Sequence, residues 1–234
     1  MSTWLDYWHQ PEGLFAGSPH VAAIAERFVR DLPKQVPFQP GQVLLDYGCG
    51  EALTAGPLAD AGLRVMLYDR SRYFDNLVRE RLGDTPRVDI LDEAGLAALP
   101  DGSVDVVVTN SVLQYLSAEE LTAVAIFAAR ILKPDGVWVL ADVVPPRSGL
   151  WQDVTELIAD AFRGGFLIDR VSSMVRLAVS RYRTVRDEIG LSHYGDDDLK
   201  TALAPAGLAL TRAPENLGWS ARRRTYMARL TDAE

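Results

Sequence analysis

Asp46, Gly48, Gly50 and Asp69 are the residues of this chain whose types and spacing point most directly to chemistry. The first three lie within Gln42–Gly62, which reads QVLLDYGCGEALTAGPLADAG. Alternating glycines permit positive φ angles and let a ligand approach the backbone closely. The apolar run Val43-Leu44-Leu45 before them is too short for a helix and reads as a buried strand. A helical pattern follows, with Pro57 early, Leu58 and Ala61 after it, and Gly62 as the stop. A strand, a glycine loop and a helix start together turn backbone N–H groups toward a ligand. Asp46 narrows the choice of ligand. An acid two residues before the first glycine would repel a pyrophosphate and suits a ligand that is positively charged at that point. The dinucleotide fingerprint also fails at its third position, where Leu53 is too large for close helix–strand packing.

The elements that must position these residues alternate along the chain. Asp69 ends a second strand, Arg64 to Tyr68, about 20 residues beyond the glycine loop, where an acid can accept hydrogen bonds from a ribose diol. A helix from Arg72 to Leu82 leads to a third strand, Arg87 to Leu91, which ends at Asp92 and Glu93. The fourth strand, Val104 to Thr109, is nearly all β-branched and ends at Asn110. Ser117 with Glu120 three residues on is a capping box for a helix ending near Leu132. Lys133-Pro134-Asp135-Gly136 reads as a stop and turn before a fifth strand, Val137 to Val144. Ahead of all this, Ser18-Pro19 opens a helix running to about Leu32, and Pro33, Pro37 and Pro40 make a linker. Such alternation predicts a parallel sheet with helices on both faces and right-handed crossovers. Its ligand would bind beyond the carboxyl ends of the strands. Asp46, Asp69, Asp92, Glu93 and Asn110 all fall on that edge.

The stretch V-L-L-D-Y-G-C-G resembles motif I of the class I S-adenosylmethionine-dependent methyltransferases. That family often carries a third glycine where this chain has Ala52. Tyr68-Asp-Arg-Ser71 looks like the family's second motif, and Val104–Leu116 (VDVVVTNSVLQYL) like its fourth strand and following turn. Leu132-Lys-Pro-Asp-Gly136 resembles the common L-K-P-G-G turn. Asp196-Asp197-Asp198-Leu199 through Ala206-Gly207-Leu208 resembles the helix and turn before the last two strands. The resemblance implies a Rossmann-like, doubly wound, mostly parallel seven-stranded α/β sheet with a helical insertion after strand 5. It divides a single domain, 1–234, into an N-terminal cap (1–40), a cofactor-binding core (41–144), a helical substrate insertion (145–195) and a C-terminal helix with the last strands (196–234). It implies S-adenosylmethionine as cofactor and S-adenosylhomocysteine as product. Asp46, Gly48 and Gly50 would surround the methionine part and Asp69 would bind the ribose, with Arg70 beside the adenine. Asp92 and Glu93 would face the adenine edge, and Asn110 would line the floor under the sulfonium.

Length and composition fit one globular domain. The net charge of −8 argues against a nucleic-acid partner. It is uneven: residues 1–150 hold 12 Lys+Arg against 20 Asp+Glu, whereas the rest is balanced. A single cysteine, Cys49, allows no intrachain disulfide and fits a reducing compartment. The start, MSTWLDYWHQPEG, has no secretory pattern, and no apolar run approaches a membrane span. A cytoplasmic location is the expectation; the oligomeric state stays open. Residues 145–195 contain two helical patterns, and six arginines from Arg163 to Arg186 face one acid, Asp169. One reading is a cationic lid for an anionic or lipid-like acceptor; the plainer one is an amphipathic helix with a solvated basic face.

Methyl transfer from a sulfonium is an in-line displacement that chiefly needs alignment and exclusion of water. A hydroxyl acceptor also needs a base. His193, in Leu-Ser-His-Tyr, is the first candidate, placed to reach the open edge of the site. His20 is the second, on an N-terminal helix of the kind that often covers the cofactor in this family. Tyr7, with Trp4 and Trp8, could stack on an acceptor or cage a cation, and Trp151 opens the insertion; packing is the plainer reading of these aromatics. Cys49 reads as a small packing residue. No cluster has metal-ligand spacing, so no catalytic metal is expected. The reading is a small-molecule methyltransferase, acting on oxygen. Its alternatives are a nicotinamide (NAD(P)-binding) oxidoreductase and a non-catalytic S-adenosylmethionine-binding protein.

Overall fold

The computed structural model describes residues 4–9, 19–146, 190–218 and 220–231. The strands are β1 (Val43–Tyr47), β2 (Arg64–Tyr68), β3 (Val88–Ile90), β4 (Val104–Asn110), β5 (Leu132–Val143), β6 (Leu208–Arg212) and β7 (Arg224–Leu230). They form one sheet in the order β3-β2-β1-β4-β5-β7-β6. β1 to β5 are parallel, and β7 runs antiparallel to both β5 and β6. The chain leaves β1 toward β2 on one side and returns to β4 on the other. The carboxyl end of β1 is therefore the switch point where such sheets open a crevice.

Successive strand residues face opposite layers, because side chains alternate across a sheet. Leu44, Val106, Val108 and Val139 pack with Phe28 and Leu32 of α2 (Pro19–Gln35) and with Leu58 of α3 (Ala55–Asp60). Leu45, Val107, Trp138 and Leu140 pack on the other face with Leu121 and Ile131 of α6 (Ala118–Ile131) and Leu199 of α7 (Asp196–Leu203). Within this second layer Trp138 donates from Nε1 to Thr109 Oγ1 at 3.1 Å, so the buried indole N–H is satisfied. The remaining helices are α1 (Trp4–Trp8), α4 (Arg72–Leu82) and α5 (Glu93–Ala97). The capping box that opens α6 is complete, with Ser117 and Glu120 each accepting from the other's backbone N–H.

Two local expectations change. Helix α2 continues through Pro33 to Gln35 instead of ending at Leu32. Pro33 forfeits only one backbone bond in the last turn, while Leu32 and Val36, 0% and 4% exposed, anchor that turn in the core. Strand β5 begins at Leu132, ahead of the Lys133–Gly136 turn. Leu132 pairs with Val104 before the turn and Val137 pairs with Val106 after it, so the turn is a bulge inside the ladder. Lys133 holds that bulge by its ion pair with Asp105 at 2.8 Å. At the start of the N-terminal cap, residues 4–8 form a short helix with Trp4 and Tyr7 buried. The insertion expected over 145–195, with its arginines, lies outside the described residues for 147–189, and the Ser18 cap lies outside them too. Among the described residues no helix is long and apolar enough to cross a membrane.

The loop from β1 to α3 places Gly48, Gly50 and Ala52 at φ values of 83°, 52° and 48°. Ala52 therefore occupies a left-handed position that costs an L-residue about 1 kcal/mol or more. This explains why glycine suits that place in the motif. Ala52→Gly is expected to leave stability unchanged or higher, unlike the loss of about 1 kcal/mol that glycine causes in a helix interior. Urea unfolding of the variant checks this; a loss of about 1 kcal/mol or more would show that the methyl group's packing outweighs the strain.

Candidate functional site

The glycine loop is tied to the neighbouring strand by its own backbone. Gly48 N and Cys49 N both donate to Tyr68 O, at 2.7 and 3.1 Å. The next amide, Gly50 N, donates to Asp69 Oδ2 at 2.8 Å. Asp69 Oδ1 accepts from Ser71 N, also at 2.8 Å. Each carboxylate oxygen keeps acceptor capacity beyond these bonds. Glycine is required at 48 for space as well as conformation, since a Cβ there would stand 2.6 Å from Val112 Cγ2.

The electrostatics of the loop are set by two acids at the ends of adjacent strands. Burial, and then the proximity of Asp69, push Asp46 up to about 7; Thr54 Oγ1, donating at 3.5 Å, opposes them. Burial also raises Asp69, against the pull of the Ser71 and Gly50 amides. Burial, followed by the charges of Asp46 and Asp69, raises the Cys49 thiol well above its ordinary range, which leaves it a poor nucleophile. A cation placed in this loop would relieve both acids.

A cleft of about 1110 Å³ opens beyond these strand ends. Gly48, Gly50, Asp69, Arg70 and Asn110 line it, all five at positions expected from the sequence. Asp46 stands immediately behind the lining, 8% exposed. Arg70 reaches across to Glu120 at 3.5 Å. Among the described residues the buried carboxamide oxygen of Asn110 has no hydrogen-bond partner, an acceptor open to a donor in the cleft. Asp92 and Glu93 are exposed and lie outside the lining, where Asp92 caps α5 by accepting from Gly95 N at 2.7 Å.

The expected substrate residues distribute differently. His193 is exposed and lies outside the lining. Its neighbours are held inward: Ser192 N donates to Gln114 O at 2.9 Å and Tyr194 N to Val144 O at 3.0 Å. Alternate residues of an extended segment point oppositely, so His193 faces away. Tyr7 is buried beside Trp4 and Trp8 and does not line the cleft, whereas those two do. The His20 side chain and Trp151 lie outside the described residues. The sequence reading passed over Gln114, Tyr115 and Leu191, which line the cleft together with Trp4 and Trp8. The signal for Gln114 and Tyr115 was their place just after Asn110, in the turn that leaves a strand end. Helix α1 is fastened over this side by Trp4 Nε1 donating to Gly190 O at 2.8 Å and Ser71 Oγ donating to Trp8 O at 2.5 Å.

Residues 45–140 match a protein-family profile described as a methyltransferase domain. A Mycolicibacterium smegmatis protein described as a probable S-adenosylmethionine-dependent methyltransferase is 38% identical over 103 residues, 43% of this chain and 38% of that protein. The tRNA N(3)-cytidine methyltransferase of Danio rerio is 34% identical over 109 residues, 42% of this chain and 31% of its own length. The chain thus spans about a third of the length of these curated relatives. Among solved structures, mitomycin 7-O-methyltransferase superposes with a TM-score of 0.67 at 17% identity, covering 98% of this chain and 61% of that one. The magnesium protoporphyrin IX methyltransferase of Synechocystis PCC 6803 gives 0.60 at 16% identity, covering 97% and 94%. Residues 45–140 therefore carry a methyltransferase domain, and the strand order, the glycine loop and the acid-tipped first two strands fit the class I S-adenosylmethionine-dependent type.

Proposed function

We propose that this chain methylates a small molecule on oxygen, using S-adenosylmethionine. The observation that carries the reading is Asp69. Its carboxylate is fixed by two backbone amides at the end of β2 and lines the cleft with acceptor capacity to spare, as a ribose diol requires. The other residues fit the same ligand. Gly48 and Gly50 let the backbone come close to it. Asp46 supplies negative charge behind the loop, and the unpartnered Asn110 oxygen offers an acceptor on the opposite wall. Arg70, also in the lining, would stand beside the adenine.

Bound there, S-adenosylmethionine would supply a methyl group to an acceptor hydroxyl by in-line displacement: the S–CH3 bond breaks as the O–CH3 bond forms, the sulfur leaves neutral, and the hydroxyl proton passes to solvent. The protein's task is then alignment and exclusion of water. Trp4 and Trp8, fastened over the cleft by α1, keep solvent from one side. A small acceptor is favoured over a nucleic acid by charge. Among the described residues the lining carries Glu51, Asp69 and Glu120 against Arg70, and the whole chain is at −8, a field that repels a polyanion.

Asp69→Ala should weaken S-adenosylmethionine binding by about 1–3 kcal/mol, the scale of lost hydrogen bonds to a charged group. Calorimetric titration of the folded variant measures this, and an unchanged affinity would remove the ribose assignment. Transfer of a labelled methyl group to a panel of hydroxylated compounds tests the oxygen acceptor directly.

A further inference from the structure

Gln114 is held from behind in a way that dictates which end of its carboxamide meets the cleft. It sits in the 3-10 turn Leu113–Tyr115, is 6% exposed, and lines the cleft. Its Oε1 accepts from Arg223 Nη1 at 3.1 Å. The same nitrogen donates to Asp142 Oδ2 at 2.6 Å. Asp142, near the end of β5, also accepts from Ser111 Oγ at 2.7 Å and from Asn216 Nδ2 at 3.0 Å. A guanidinium has donors only, so the carboxamide can meet it only through oxygen. The Gln114 nitrogen is thereby turned away from Arg223, and among the described residues the one side-chain hydrogen bond of Gln114 is that made by Oε1.

The frame behind Gln114 is costly. Asp142 and Ser111 both take positive φ values, 60° and 58°. A side chain at Gly218 would overlap the Asp142 carboxylate. Burial alone would raise Asp142, but Arg223, Asn216 and Ser111 together hold it below the ordinary carboxylate range, so the pair stays charged. Backbone strain of this kind persists where surrounding structure enforces it, and it clusters where position matters.

We propose that Gln114 selects and orients the methyl acceptor by donating from Nε2 to an acceptor oxygen, and that Asp142 and Arg223 are positioning residues which keep that donor facing the cleft. The proposal rests on the methyltransferase reading and names its substrate class: a flat, ring-containing molecule that carries a hydrogen-bond-accepting oxygen. Trp4 and Trp8, whose ring centroids stand 4.9 and 5.5 Å from that of Tyr115, supply with it the apolar wall for such a ring.

The test uses the whole protein loaded with S-adenosylhomocysteine, and as probes 1- and 2-naphthol, each compared with naphthalene. In the wild type the naphthols should bind about tenfold or more tighter than naphthalene, as expected for one well-placed hydrogen bond. Gln114→Leu should abolish that preference while naphthalene affinity holds. Arg223→Met should reduce it, because the carboxamide is then free to turn over, and Arg223→Lys should restore it in part. S-adenosylhomocysteine affinity should be the same in all variants. A preference for naphthol that survives in Gln114→Leu overturns the proposal, as does the absence of naphthol binding in a wild type that binds S-adenosylhomocysteine. A wild type that fails to bind S-adenosylhomocysteine overturns the methyltransferase reading itself, and this proposal with it.

Discussion

Two carboxylates standing side by side at the ends of parallel strands are the constraint on which the rest of the site depends. Register places them there: Asp46 is paired with Leu67 and Tyr47 with Tyr68, so Asp69 emerges one step beyond its neighbour. Burial makes both acids costly to ionise. The structure offsets part of that cost with the Gly50 and Ser71 amides on Asp69 and the Thr54 hydroxyl on Asp46. What remains is a pocket of unsatisfied negative potential. It disfavours a pyrophosphate and favours a ligand that brings hydroxyl donors to one acid and a positive charge near the other.

That constraint reaches outward through the backbone. The loop can approach β2 only because Gly48 has no side chain to strike Val112, and Val112 opens the turn that carries Gln114 and Tyr115. The glycine-loop side and the Gln114 side of the cleft therefore share one steric contact. The Gln114 side is bounded from two directions: by α1, pinned through Trp4 and Ser71, and by the segment before α7, where Tyr194 Oη donates to Leu116 O at 2.7 Å.

Features written in short stretches of sequence were legible. The β-branched run of β4, the capping box of α6 and the acids ending β1 and β2 each follow from local rules, and the sheet order follows once strand and helix alternate. Two departures came from local rules overridden by packing. Pro33 sits inside a helix because Leu32 and Val36 bury the turn around it, and the Lys133–Gly136 turn became a bulge because Leu132 still pairs with Val104. The acceptor wall was hidden for a different reason. Arg223 meets Gln114 across 109 positions and Asp142 across 81, distances over which no spacing rule operates. His193 was drawn toward the site by its residue type, while its orientation depends on which of its neighbours the fold pins inward.

The most direct test of this account is calorimetric titration with S-adenosylmethionine and, separately, with NADH, in buffers of different ionisation enthalpy across pH 6–8. Asp46, at about 7 in the free protein, is largely protonated at the acid end of that range. A cation bound near it favours the carboxylate, so binding must expel a proton below about pH 7, and affinity must rise with pH until the group is ionised. Micromolar binding of S-adenosylmethionine with proton release that fades above neutrality, and no binding of NADH, is the expected result. Binding of NADH, or binding of S-adenosylmethionine with no proton released at any pH, would contradict it.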